Sequence, residues 1–168
     1  MRVLAIDPGL TRCGVAVLHG GSGRQAELLF AGTIRSDAGL ELGERLAVVE
    51  SGILEVAKAH APEVVAIEQV FSQNNVMTVI GTAQAAGVAA LTATKLGLNA
   101  YFYTPSEVKA SVSGNGRADK QQVATMVSRI VGHELPGPAD LTDAVALGIC
   151  HLWRGSITGQ ATDRRSAS

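Results

Sequence analysis

Two short apolar runs that each end on a carboxylate constrain this chain most: Val3–Ile6 closing on Asp7, and Val64–Ile67 closing on Glu68. Runs of that length, rich in aliphatic residues and bounded by turn-forming ones, read as strands, the second of them buried. A carboxylate that closes such a run sits at the edge of the sheet, where open α/β folds place their sites. An unpaired buried carboxylate is costly there. Two side by side repel unless a cation lies between them.

The rest of the chain supplies partners for these strands. Residues 2–7 and 14–19 flank a Pro8-Gly9 turn, and residues 26–35 read as a third strand, giving an N-terminal antiparallel meander. From residue 40 to 60 apolar side chains recur at helical spacing (Leu42, Leu46, Val49, Ile53, Val56, Ala57), and Pro62 stops the helix. Strands follow at 64–69 and 99–103, on either side of a long Ala-rich segment at 74–96. Thr104 is the expected N-cap of a short helix, with Glu107 completing a capping box. Residues 113–119 form a loop, and helices cover 120–131 and about 139–153. Three strands followed by helix–strand–helix–strand–helices suit an α/β, ribonuclease-H-like fold: a five-stranded mixed sheet flanked by helices on both faces. With 168 residues, 46% apolar and 17% charged, the chain suits one compact domain, expected at 1–155, followed by a flexible C-terminal tail at 156–168.

No charged residue lies between Glu68 and Lys95, yet Gln73, Asn74, Asn75, Thr78, Thr82, Gln84, Thr92 and Thr94 make that stretch too polar for a membrane span and favour a buried helix. Gly81, Ala85 and Ala89 form a smooth stripe along it, equally suited to packing within the chain and to a homodimer interface. No secretory signal is legible, which points to the cytoplasm. Cys13 and Cys150 stand apart without metal-ligand spacing and read as buried thiols.

Four acids stand out by position. Besides Asp7 and Glu68, Asp140 and Asp143 lie three residues apart on one face of a helix near its N-terminus. Alone, that pair reads first as acids complementing a helix dipole, and Asp7 alone is as readily a turn former. Together, strand-end carboxylates and a helix-borne pair suit convergence on one pocket. Such oxygen-only ligands fit Mg²⁺ or Mn²⁺ rather than Zn²⁺, and several of them suit two ions and phosphodiester hydrolysis. The net charge of −1 argues weakly against a nucleic-acid partner, but Lys109, Arg117, Lys120 and Arg129 cluster around the pliant Gly114-Asn115-Gly116 loop and suit phosphate contact. Phe71, just beyond the Glu68 strand, reads as a core residue by default and otherwise as a stacking wedge for an unpaired base.

The segments LAIDPGLTRCGVAV, VVAIEQVF, TPSEVKASVSGNGRADKQQV and ADLTDAVALGICH resemble the RuvC family of Holliday junction resolvases, in order and spacing, from Arg2 to about Trp153. The resemblance implies a metal-dependent endodeoxyribonuclease that nicks four-way junction DNA symmetrically. It implies Asp7, Glu68, Asp140 and Asp143 as catalytic metal ligands for two Mg²⁺ ions (Mn²⁺ as an alternative). Phe71 matches an aromatic near the crossover, and Lys109 and Lys120 match basic residues near the scissile DNA. A homodimer is implied, as is work alongside the RuvA and RuvB branch-migration complex. Three other readings compete. An actin-like or sugar-kinase-like ATPase shares the D-x-G-x-T turn but needs a second domain. A nuclease acting on RNA–DNA hybrids shares the four acids. A binding module on the same fold has no use for all four.

Overall fold

The computed structural model describes residues 1–21, 23–69, 76–135, 137 and 139–162. Five strands, β1 (Arg2–Asp7), β2 (Arg12–Gly20), β3 (Ala26–Arg35), β4 (Val64–Glu68) and β5 (Asn99–Tyr103), form one sheet in the order β3-β2-β1-β4-β5. The first three are antiparallel neighbours, whereas β1, β4 and β5 run parallel. The helices are α1 (Leu42–His60), α2 (Val76–Lys95), α3 (Pro105–Ser113), α4 (Lys120–Val131) and α5 (Ala139–Thr162).

The unbroken apolar runs are explained by burial on both faces of the sheet. Val3 and Ala5 of β1, with Ala16, Leu18, Val64 and Ala66, pack beneath α3, α4 and α5. Leu4 and Ile6, with Val15, Val17, Val65 and Ile67, pack beneath α1 and α2. Alternation therefore persists as a choice between two cores, with no solvent face to introduce polar residues. The face under α5 carries small side chains, so that helix approaches closely. A Cβ on Gly148 would lie 2.3 Å from Leu18, and one on Gly14 would lie 2.4 Å from the backbone oxygen of Asp140.

Most elements lie where the sequence puts them, with instructive differences. Leu42 was expected inward but is 42% exposed, at the first residue of α1, whose buried positions begin at Val49. The Ala-rich segment is a helix buried along one face only. Ala85, Ala86, Ala89, Thr92 and Ala93 are covered by the fold, whereas Met77, Ile80 and Leu91 are exposed. Ala85 and Ala89 are thus taken up by packing within the chain, and Gly81 lies against Leu10. The span Met77–Lys95 is long and apolar enough to cross a membrane by length and composition. Its buried face instead joins the core shared with α1 and the sheet, and Lys95 Nζ binds Glu50 Oε1 of α1 at 2.7 Å. The helix α5 continues beyond the expected end near Trp153 to Thr162, which covers the first part of the segment read as a tail; residues 163–168 lie outside the described residues.

Candidate active site

Parallel register brings the first two acids together. Ile6 pairs with Ile67, so the next residues, Asp7 and Glu68, end adjacent strands side by side. Alternation from Ala5 and Ala66 turns both toward the face covered by α3, α4 and α5. Across β1, Asp7 pairs with Gly14 of β2. The missing side chain at Gly14 lets the first turn of α5 settle on the sheet, with the Asp140 backbone against it. That contact delivers Asp140 and Asp143 to the strand ends.

The carboxylates destabilise one another's charge. Burial, then the neighbouring charge and hydrogen bond of Glu68, push the Asp7 carboxyl up to about 9, with Asp143 and Asp140 adding to the rise. Glu68 is also raised, first by burial. The hydrogen bond with Asp7 opposes that rise, as do the charges of Lys109 and Lys120. Both carboxyls of the pair are thus raised, so their joint ionisation is disfavoured. Asp143 is raised by burial and by Asp140, and lowered by Lys120 and Lys109. Lys120 Nζ stands 3.9 Å from Asp143 Oδ2.

Asp140 is held differently. Arg12 Nε donates to its Oδ2 at 2.7 Å. The turn that carries Arg12 is braced from α1: Arg45 donates through Nη2 to Thr11 Oγ1 at 2.7 Å and through Nε to Ser36 Oγ at 3.0 Å, and Ser36 Oγ donates to the Leu10 carbonyl. Gly9, Thr11, Arg12, Arg45, Thr78 and Thr82 are among the residues lining a cleft of about 430 Å³ beside this turn.

Of the basic residues read from the sequence, Lys109 and Lys120 reach the acids electrostatically. Capping boxes position both. Thr104 and Glu107 start α3, four residues before the end of which Lys109 sits, and Asp119 and Gln122 start α4 at Lys120. Arg117 is exposed in the intervening loop, its backbone N–H held by Asn115 Oδ1 at 2.9 Å, and makes no described contact with the acids. Arg129 lies nine residues along α4 from Lys120, roughly 13 Å at 1.5 Å per residue. Phe71 lies outside the described residues. Arg12 was missed by the sequence reading. It is separated from Asp140 by 128 positions, and only the docking of α5 on Gly14 brings the two together.

Among the described residues, no three carboxylate, imidazole or thiol groups form a ready cage for an ion. Asp7 and Glu68 each raise the other's cost of ionising, and Asp140 is turned onto Arg12. The chemistry of the donor set nevertheless fits a hard divalent cation: half-buried carboxylates that raise one another's pKa gain from a positive charge among them. Cys13, the nearest thiol, is fully buried on the opposite face of the sheet and pushed up to about 12 by burial, which leaves it inert.

The family model described as crossover junction endodeoxyribonuclease RuvC matches residues 3–151. The chain belongs to the RuvC family. The family member from Saccharopolyspora erythraea is 54% identical over 97% of this chain and 82% of its own length. The one from Parafrankia is 54% identical over 99% and 96%. Thermus thermophilus RuvC, solved in complex with a Holliday junction substrate, superposes with a TM-score of 0.88 at 31% identity, covering 94% of this chain and 96% of the other. RuvC family membership makes this chain a nuclease of the crossover junction endodeoxyribonuclease class, on the five-stranded mixed sheet that the Thermus structure shares.

Proposed function

We propose that this RuvC family member resolves four-way DNA junctions by symmetric nicking of two strands, through phosphodiester hydrolysis at Asp7, Glu68, Asp140 and Asp143. The observation that carries the reading is the crowding of half-buried carboxylates at the ends of β1 and β4, with Lys109 and Lys120 beside them. Two Mg²⁺ ions, with Mn²⁺ as an alternative, are the cofactors, and when bound they supply water activation and charge stabilisation at the leaving 3′ oxygen. Asp7 and Glu68, both ionised, would hold the ions from the strand ends. Asp140 and Asp143 would hold them from α5. Lys109 and Lys120 then face the DNA backbone, where their charge offsets that of the scissile phosphate. Arg117, exposed in its loop, contacts phosphates further along the arm without reading sequence. Phe71, three residues past Glu68 in the sequence, stacks on a base at the crossover.

A junction with two-fold symmetry calls for two related cuts, which a C2 homodimer supplies. The exposed side of α2 supports that assembly. Ile80, Gly87 and Leu91 follow one another at helical spacing, with Ile80 45% and Leu91 54% exposed. The enzyme acts in the cytoplasm, in recombination and repair, alongside RuvA and RuvB. That partnership rests on the family resemblance alone.

The test is cleavage of a synthetic four-way junction and its linear duplex control by wild type and Asp7→Asn, with Mg²⁺, with Mn²⁺ and with chelator. Paired nicks confined to the junction, lost with chelator and in the variant, are expected. Absence of junction cutting with both metals across several core sequences overturns the reading, and cutting of an RNA–DNA hybrid in its place redirects it.

A further inference from the structure

Among the described residues, Arg12 is the one cation in direct contact with the candidate ligands that no role has yet claimed. It binds Asp140 through Nε alone, and among the described residues its two terminal nitrogens take no hydrogen-bond partner. Its side chain is 39% exposed and that of Asp140 26%. Ion pairs so open to water are weak. Asp140 also lies within electrostatic reach of Asp7 and Asp143, so one carboxylate is shared between the acid cluster and the arginine. The backbone that carries Arg12 is fixed by the Arg45, Ser36 and Thr11 bonds. Its side chain lines the 430 Å³ cleft together with Arg45, Thr78 and Thr82. Arg45 already donates to two hydroxyls, whereas the two terminal nitrogens of Arg12 take no partner among the described residues, and a planar fork of donors matches phosphate geometry.

We propose that Arg12 is a displaceable counter-ion: it occupies Asp140 in the metal-free enzyme, a divalent cation takes the carboxylate from it, and the freed guanidinium then binds a DNA phosphate in the cleft. The proposal rests on the metal-site reading above. Arg12 is thereby a positioning residue that acts on the metal through Asp140. It links two events, because the step that completes the metal site also releases a cation for DNA. Coupling of that kind is reciprocal, so DNA in the cleft favours ion binding by the same factor.

Three measurements test it on the full chain. The first needs no substitution. In a ¹⁵N-labelled, metal-free protein the Arg12 Nε–H resonance reports the bond to Asp140, and saturating Mg²⁺ should shift it and speed its exchange with water. The second is Mn²⁺ binding followed by electron paramagnetic resonance without DNA, where Arg12→Gln should bind the first ion severalfold more tightly than wild type. The third is the salt dependence of junction affinity. With Ca²⁺ as a non-cleaving probe, Arg12→Gln should lower the slope of log Kd against log salt by about one. In chelator the slope should not change. An Nε–H signal unmoved at saturating Mg²⁺ overturns the proposal, as does Mn²⁺ affinity unchanged or weakened in Arg12→Gln. An equal loss of slope with and without Ca²⁺ also overturns it, since the guanidinium then meets phosphate without having been released. Wild type that binds no Mn²⁺ sinks the metal-site reading and this proposal with it, whereas Mn²⁺ bound beside an unmoved Arg12 sinks this proposal alone.

Discussion

Asp7 is costly to ionise in the fold, and the sign of that cost is testable without DNA. Its carboxyl is pushed up to about 9 in the fold, against about 3.9 in an unfolded chain. Between those values the folded state holds a proton that the unfolded state has lost, so metal-free stability falls as pH rises through that window. The melting temperature of chelator-treated wild type should therefore decline from pH 5 to pH 9. Asp7→Asn, which never ionises, should decline less, and saturating Mg²⁺ should raise the wild-type value at pH 8. Parallel curves for the two proteins would refute this. His151 behaves oppositely. Burial lowers it to about 4, and its Nδ1 lies 2.8 Å from the Tyr103 hydroxyl, so its contribution is present above its unfolded value and is lost as pH falls through about 4. The two groups act with opposite slopes that overlap below the unfolded value of His151, and above it only the Asp7 decline remains.

At the scale of elements, the site depends on how closely α5 and α4 are seated. The Gly14 contact is backbone against backbone, 2.4 Å from a built Cβ to the Asp140 oxygen, so no rotamer change relieves a methyl group there. Gly14→Ala should cost about 1–3 kcal/mol of stability. It should also reduce junction cleavage beyond what the lost stability explains, because Asp140 and Asp143 move with the helix. Asp119→Ala removes the cap at the start of α4 and should cost about 1 kcal/mol, with a smaller loss of cleavage through a looser Lys120. Urea denaturation paired with cleavage rates ranks the two, and a Gly14→Ala enzyme as active as wild type would show that α5 has slack at that contact. The same elements show what was legible beforehand. Thr104 with Glu107, the span of α4 and the boundaries of β3 followed from local chemistry: caps, helical spacing and an apolar run ended by turn residues. Leu42 did not, because helical periodicity fixes which face a residue shares and says nothing of where along the helix burial begins.

At the scale of the whole molecule, net charge and oligomer state set how DNA is met. The chain carries −1 overall, and the acids concentrate at the strand ends while Lys109 and Lys120 stand around them, so local sign decides the encounter. The exposed apolar side of α2 is the surface on which the dimer reading rests. Ile80→Glu should give a monomer by sedimentation with little change in melting temperature, since Ile80 is already 45% exposed. Its junction products should be unpaired nicks. A dimer that persists in Ile80→Glu would move the interface elsewhere.

Periodicity, turn residues and order along the chain determined by themselves the five strands, the helices between them and the two strand-end carboxylates, because those signals are local and each residue's neighbours carry them. The family motifs did the same for Asp140 and Asp143. The tertiary structure alone decided that α2 turns Ala85 and Ala89 inward and Ile80 and Leu91 outward, and that Lys109 and Lys120 reach the acids. It alone set Arg12 on Asp140. Those outcomes depend on contacts between residues far apart in the chain, made possible where Gly14 leaves room for a helix to touch the sheet, and no spacing along one segment encodes them.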